Sequence, residues 1–389
     1  MKEVRDYLVP DYYPQFSCKM GACRHACCEG WPISFTMNDY FKLLSIECSP
    51  ELRVKLDCAL HLAEHPTPEG YAQILPRYDG KCPMHLPDGR CWLHAELGEE
   101  VLAAVCRLYP RGVRNHGELE CSCANSCEAV LELLMKRDAP LGFRTLPLEF
   151  DLPDAVAREH HFETMGREEE IRLWLISFLK RREYPLPRRI LFLGEALKAM
   201  DDALQAKDEN RVDALLTGAE NIHVPEDVEA GQEQLRFGLD AASRMLEIMD
   251  ERSDSIREYG EAALRYFSEG EVEFRRYILA RARFEALVPN WQNWFEHMLV
   301  NHMYFTQVPF QDRPVDLRDE YLALCAVYAL LRFLSLGWMA QREDIDSAVD
   351  VAAAAFRLIE HTEFDRYAAP ILKHLGCDDW VHLRQLLCL

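Results

Sequence analysis

The sequence predicts a mainly α protein in two parts. A Cys-rich N-terminal metal-binding domain with short strands and turns is followed by a multi-helix C-terminal domain. Three observations predict this. Of 15 cysteines, twelve lie between Cys18 and Cys127, and only Cys325, Cys377 and Cys388 lie beyond. Glycine, proline and short turn signals crowd the same N-terminal stretch. From about Glu168 nearly every segment repeats its apolar residues with helical period. The parts divide as 1–137 (Cys-rich), 138–165 (a connector around RDAPLGFRTLPLEFDLPDA) and 166–389 (helical).

With 389 residues, 49% hydrophobic and 28% charged, the chain can bury a sizeable core and is not of disordered composition. Its 65 acidic against 44 basic residues give a formal net charge of −21. Such a surface repels phosphate backbones and anionic lipid, so no nucleic acid and no membrane is expected as partner, whereas a lysine side chain would be tolerated. The opening MKEVRDYLVPDYYPQFSC has no apolar h-region and no small-residue cleavage site. A cytoplasmic protein is expected.

Fifteen cysteines in a reducing compartment point to metal ligands, catalytic groups or core fillers rather than disulfides. The first group, FSCKMGACRHACCEGW, holds Cys18, Cys23, Cys27 and Cys28, with Gly21 and Gly30 allowing a tight backbone. Adjacent Cys27 and Cys28 are expected to diverge, so that both do not ligate one metal atom. Trp31, Ile33 and Phe35 alternate as a short strand, with Trp31 in the core, and Thr36 caps a helix with Asp39 three residues on. Cys48 and Cys58 fall in helical patterns and read as fillers. Next, Cys82 and Cys91 flank a Pro-Asp-Gly turn that brings a short loop's ends together. Cys106 to Arg111, CRLYPR, ends a helix expected from near His94, with Leu102, Cys106 and Tyr109 on one face. Asn125 or Ser126 caps the helix of NSCEAVLELLM, placing Cys127 in its first turn. There the helix amides and dipole favour a thiolate.

The candidate ligands are thus Cys18, Cys23, Cys27, Cys28, Cys82, Cys91, Cys106 and Cys127. An all-sulfur set without C-x-x-C knuckles suits an iron–sulfur cluster, expected as 4Fe–4S, with zinc as the alternative. The spacing C-x4-C-x3-C-C differs from the radical signature C-x3-C-x2-C, and no βα series follows. His25, His85 and His94 read as surface or supporting groups, and Cys121 and Cys123 stay outside the ligand set.

Helices are expected at 168–183, 188–207, 225–250, 252–267, 271–286, 291–305, 316–340, 343–361 and 378–388, with prolines, including Pro370, at or between their ends. The run Tyr321 to Ala340 is long and apolar enough to span a bilayer. Arg332 inside it would cost about 3 kcal/mol there. It reads as the buried central helix of the helical part. No Gly-rich phosphate loop, G-x-S-x-G, H-E-x-x-H or G-x-G-x-G announces a reaction.

The ordered set F-x-C-x4-C-x3-C-C-x-G-W (Phe16 to Trp31), C-P-x7-C (Cys82 to Cys91), C-R-x-Y-P-R (Cys106 to Arg111) and S-C-E-A-V-x-E-L-L (Ser126 to Leu134) resembles the bacterial flagellin lysine-N-methylase family. FEHMLVNHMYFTQVPF (Phe295 to Phe310), YALLRFLSLG and FRLIEH (Phe356 to His361) are similar to that family's later helices. The cysteine part alone is shared with a broader family associated with zinc or iron–sulfur binding. The resemblance implies methyl transfer from S-adenosylmethionine to lysines of flagellin, with an iron–sulfur cluster involved. Such chemistry needs the lysine amine deprotonated. Tyr109 beside Cys106 is the candidate catalytic residue, its plainer reading being a packed helix-end tyrosine. Arg107 and Arg111 are candidates for holding the S-adenosylmethionine carboxylate or neutralising thiolates, against a reading as surface arginines. Glu96 and Glu128 read as helix-surface or capping groups. Two other readings are a non-catalytic iron–sulfur redox or sensor protein, and a zinc-stapled helical adaptor.

Overall fold

The chain begins with a strand, β1 (Glu3–Pro10), whose alternate Tyr7 and Val9 are buried. This computed structural model describes residues 3–29, 32–114, 119–150, 161–226, 231–250, 256–268, 273–311 and 316–389; Gly30 and Trp31, expected in the strand region, lie outside that set. Two further strands are β2 (Ile33–Phe35) and β3 (Leu60–Leu62), followed by β4 (Ala72–Ile74), β5 (Arg111–Arg114), β6 (Glu120–Cys123) and β7 (Phe143–Phe150). One sheet has the order β5-β6-β1-β7, with β1 parallel to β6 and antiparallel to β7 in the register Leu8 to Thr145. A small antiparallel sheet has the order β2-β4-β3.

The fold class holds: the structure is mainly helical, with short strands in its N-terminal region. Five helices belong to that region: α1 (Met37–Ser45), α2 (Pro50–Ala59), α3 (Trp92–Leu97), α4 (Ala104–Leu108) and α5 (Glu128–Met135). The cap expected at Thr36 forms and one at Ser49 joins it, whereas neither Asn125 nor Ser126 caps α5, whose N-cap is Cys127 itself with no side-chain bond. Thr36 Oγ1 accepts from Asp39 N, and Ser49 accepts from Leu52 N before Pro50 at the first position of α2. Eleven more described helices follow: α6 (Glu168–Leu179), α7 (Leu186–Gln205), α8 (Glu209–Thr217), α9 (Gln232–Asp250), α10 (Arg257–Ser268), α11 (Glu273–Leu287), α12 (Trp291–Thr306), α13 (Leu317–Met339), α14 (Asp346–His361), α15 (Phe364–His374) and α16 (Trp380–Leu387).

Several local expectations are corrected. The helix from His94 to Pro110 is broken, because Gly98 turns at φ +86° and separates α3 from α4. Leu102 is therefore buried outside the helix that carries Cys106, so the expected common face does not form. Residues of the expected connector form β7, and α8 and α15 occupy stretches where no helix was expected. Pro370 sits inside α15 rather than at an end. Cys48 lies in the loop between α1 and α2, and Cys58 is exposed. The helix starts expected at 252 and 271 lie outside the described residues.

Two apolar cores result. A small one joins Ile33, Phe35, Leu52, Leu56, Ile74 and Leu93 beneath the cysteine loops. The large one runs from Tyr7 to Leu389 and is built around α13, which is buried from Glu320 to Met339. The expected central helix is thus central. Arg332 in its middle is fully buried because its charge is met: Nη2 donates to Glu285 Oε1 at 3.0 Å, Nε donates to the Leu389 carbonyl at 3.1 Å, and the guanidinium lies 3.8 Å from the Trp291 ring centre.

Helix α12 binds the N-terminal region to this core through buried polar groups. Glu296 accepts from Arg182 and Arg189 at 2.8 and 2.6 Å, Trp294 donates to the Leu131 carbonyl at 3.2 Å, and Tyr304 donates to the Leu8 carbonyl at 2.9 Å. Asn301 Oδ1 accepts from Tyr12 at 2.8 Å, while its Nδ2 donates to the Cys123 carbonyl and to Asn125 Oδ1 at 2.8 and 2.7 Å. These bonds satisfy polar groups that burial alone would penalise.

Candidate functional site

The cysteines are carried mainly on two loops, and glycine lets those loops touch. Gly21 turns at φ +97° and Gly89 at φ +85°. A Cβ on Gly89 would stand 2.1 Å from the Gly21 oxygen, and one on Gly21 would stand 2.8 Å from the Gly89 carbonyl carbon. Only two glycines permit this approach. Cys82 N donates to the Cys28 carbonyl at 2.9 Å beside it. Charge then fastens the first loop to the helices. Lys19 Nζ meets Glu128 and Glu132 at 2.8 and 2.6 Å, Arg24 Nε donates to Asp350 at 2.7 Å, and Arg357 donates to the His25 carbonyl at 3.2 Å. Glu128 is therefore a buried anchor and not a helix-surface group. Glu96, by contrast, is a capping group, accepting from Ser49 N and Oγ at 2.6 and 2.8 Å.

All fifteen cysteines are free thiols. The eight expected ligands share one neighbourhood, in two lobes. Burial raises the Cys23 thiol to about 12, with Glu128, Cys127, Cys18 and Cys27 adding to it. Burial likewise raises Cys106, with contributions from Cys91, Cys27 and Cys82. Cys18, Cys23 and Cys127 thus form one lobe and Cys82, Cys91 and Cys106 the other, with Cys27 acting on both. Cys28 first and burial second raise the Cys27 thiol.

Backbone amides point at four of the sulfurs. Met20 N lies 3.5 Å from Cys18 Sγ, and the amides of Met84, of Leu93 and His94, and of Ala129 and Val130 lower the thiols of Cys82, Cys91 and Cys127 respectively. At Cys82, Cys91 and Cys127 these amides lie two or three residues ahead and favour thiolate. The expectation for Cys127 at the start of α5 is right about the amides and wrong about the balance, because burial wins and lifts the thiol to about 11. Cys82 rises to about 11 for the same first reason. Gathered thiols, of which Cys82 is buried and Cys18, Cys27 and Cys106 keep an exposed edge, repel one another as anions and are the donor set that a cationic centre would neutralise. Among the described residues, no three Cys, His, Asp or Glu side chains stand in a ligating array. The thiols form a neighbourhood rather than a closed coordination sphere.

Cys121 and Cys123 on β6 lie deeper. Arg111 lowers both of their thiols against a larger burial effect and packs 5.1 Å from the Phe16 ring centre. It therefore acts on this second pair rather than on the eight. Arg107 follows Cys106 on α4. His25 Nε2 lies 3.4 Å from the Tyr259 hydroxyl, and the peptide bond between Tyr109 and Pro110 is cis.

Tyr109 begins a polar chain that the sequence reading missed. Its hydroxyl is 3.0 Å from Ser126 Oγ, which is 2.7 Å from His361 Nε2. Ser126 N donates to Glu360 Oε2, and Glu360 Oε1 lies 3.3 Å from His302 Nδ1. Burial, then Arg357, lowers His361 to about 4, so its ring is neutral near pH 7. Burial and then Cys127 raise Tyr109, which stays a phenol. Glu360 is raised by burial. The sequence signal for these residues is faint: a Glu-His pair closing FRLIEH and a serine before a cysteine.

Comparison with known proteins agrees with the resemblance seen in the later helices. The family model described as the FliB lysine N-methylase C-terminal domain matches residues 172–386. The chain is similar to lysine-N-methylases of Salmonella typhimurium and Salmonella choleraesuis, each 30% identical over 128 residues. Those alignments span 31% of this chain and 31% of each relative. No solved structure matches.

Proposed function

Because the chain belongs to the FliB lysine N-methylase family, we propose that it is an S-adenosylmethionine-dependent lysine N-methyltransferase acting in the cytoplasm on a protein, flagellin foremost. The family match over residues 172–386 carries this reading, since it covers the helices that present His302, Glu360 and His361 to the cysteine region. S-adenosylmethionine, when bound, supplies an electrophilic methyl group on sulfur. As the new N–C bond forms, the S–C bond breaks, S-adenosylhomocysteine leaves, and one proton must leave the former ammonium. The chain's contribution is to move that proton. The Tyr109 hydroxyl passes it through Ser126 Oγ to the His361 ring, which hands it to the solvent at its exposed edge, since a ring lowered to about 4 does not keep a proton near pH 7. Tyr109 relays rather than acting as a standing base, because burial keeps it a phenol. Arg107 is the nearer candidate for the donor's carboxylate, since Arg111 is engaged with Phe16 and the Cys121–Cys123 pair.

The same reading assigns an iron–sulfur cluster to the eight thiols of the two lobes, with zinc as the alternative. Support comes from the all-sulfur donor set, the amides aimed at Cys18, Cys82, Cys91 and Cys127, and the shared electrostatics of the group. Bound there, the metal centre would neutralise thiolates and clamp the two loops.

The test is to purify the full chain anaerobically, measure iron, zinc and sulfide, and incubate it with methyl-labelled S-adenosylmethionine and flagellin. Label on lysine nitrogen is expected. No label on any lysine, in flagellin or another offered protein, rejects the enzyme in favour of a non-catalytic iron–sulfur protein. Zinc without sulfide rejects the cluster.

A further inference from the structure

Away from the thiols, α7, the start of α13 and α16 enclose a cavity of about 230 Å³. Its apolar wall includes Leu197 and Leu383, and Tyr321 and Trp380 stand with ring centres 6.1 Å apart. Gly194 makes room for this wall, since a Cβ there would stand 2.3 Å from the Tyr321 ring. Three carboxylates, Asp201, Asp202 and Asp316, also line the space, against Lys198 and Arg318. Arg318 donates to the Asp378 carbonyl and keeps its charge, so the wall holds three carboxylates against two cations. Burial, with Asp316 and Asp202 nearby, raises Asp201, as expected for acids crowded at a half-buried wall.

We propose that this cavity is a recognition pocket for a protonated lysine side chain of the protein substrate, distinct from the lysine that is methylated. The inference rests on the lysine-methylase reading and adds where the substrate is held. Charge selects the ligand first: surplus carboxylates attract a cation and repel a phosphate or a free carboxylate. The aromatic wall favours an organic cation, and the leucines favour an alkyl stem. The space falls below the roughly 300–1,000 Å³ of sites for drug-sized ligands, which suits one long side chain better than a nucleoside. The same carboxylates hold an amine in its charged form, the opposite of what methyl transfer needs. The pocket is therefore built to grip a lysine, and the reacting lysine belongs at Tyr109.

The experiment uses the full chain without methyl donor. Nα-acetyl-lysine methylamide and its norleucine analogue are titrated by saturation-transfer NMR and tryptophan fluorescence, against wild type, Asp201→Asn and Asp202→Asn. Binding of the lysine probe alone is expected, weakened about tenfold in the variants and reduced by salt. Asp202 is exposed, so its substitution leaves the fold intact should Asp201→Asn disturb it. Equal binding of norleucine, unchanged binding in both variants, or displacement of the lysine probe by S-adenosylhomocysteine overturns the proposal. Label transfer to flagellin is measured separately, so a failed pocket and a failed methylase reading give different results.

Discussion

Replacing Gly89 by alanine should separate the two cysteine loops while leaving the helical core folded. The cost has two sources. Alanine at φ +85° loses roughly 1–2 kcal/mol relative to glycine. Its Cβ would also lie 2.1 Å from the Gly21 backbone oxygen, an atom with no rotamer by which to escape. Overpacking of that kind costs typically 1–3 kcal/mol. The sum, about 2–5 kcal/mol, exceeds what the Cys82 N to Cys28 carbonyl bond, at about 1 kcal/mol, and the half-exposed Lys81–Glu29 pair beside it, at about 0–1 kcal/mol, hold together. The loops should therefore part. Gly80 supplies the control, since it turns at φ +77° with nothing within 4 Å of a Cβ, so Gly80→Ala bears the backbone cost alone. Hydrogen exchange read by mass spectrometry should show faster exchange across residues 18–29 and 82–91 in Gly89→Ala and near-native exchange there in Gly80→Ala. Bound metal should fall only in the first. Equal exchange in the two variants would refute the claim that this contact holds the loops together.

Other expectations follow from the same structure. Cys106→Ala and Cys127→Ala should lose bound metal while Cys325→Ala, buried in α13 away from the lobes, keeps it; equal retention in all three would remove the ligand assignment. Asn301→Ala deletes three buried hydrogen bonds and leaves Asn125 Oδ1 without its amide donor, so urea unfolding should show a loss of about 2–4 kcal/mol; a loss below about 1 kcal/mol would mean the junction at α12 is held by packing alone. His361 is lowered to about 4 from an ordinary 6.5, so the unfolded chain takes up its proton first and stability falls as pH drops from about 6.5 towards 4. Solvent at this ring screens the effect, and His361→Gln should flatten only that part of the stability–pH curve, with an unchanged curve contradicting the assignment.

Much of this protein was legible in its residues because the signals are local. Apolar periodicity predicted α6, α7, α12, α13 and α14 to within a few residues, and Thr36 with Asp39 announced the start of α1. The clustering of cysteines, the lone charge in the apolar run Tyr321 to Ala340 and the family motifs were also written in the order of the chain. Local signals failed where a distant partner decided. Residues 143–150 form a strand because β1 lies beside them, and α15 contains Pro370 despite the proline. Cys127 carries helix amides that favour a thiolate, yet burial among other thiols outweighs them. The approach of Gly21 to Gly89, the chain from Tyr109 through Ser126 to His361, and the carboxylates around Trp380 join residues dozens to hundreds of positions apart. Sequence determined which side chains were available and which elements they would form. Tertiary packing alone decided which of them meet, because burial and electrostatic coupling depend on distance in space and not along the chain.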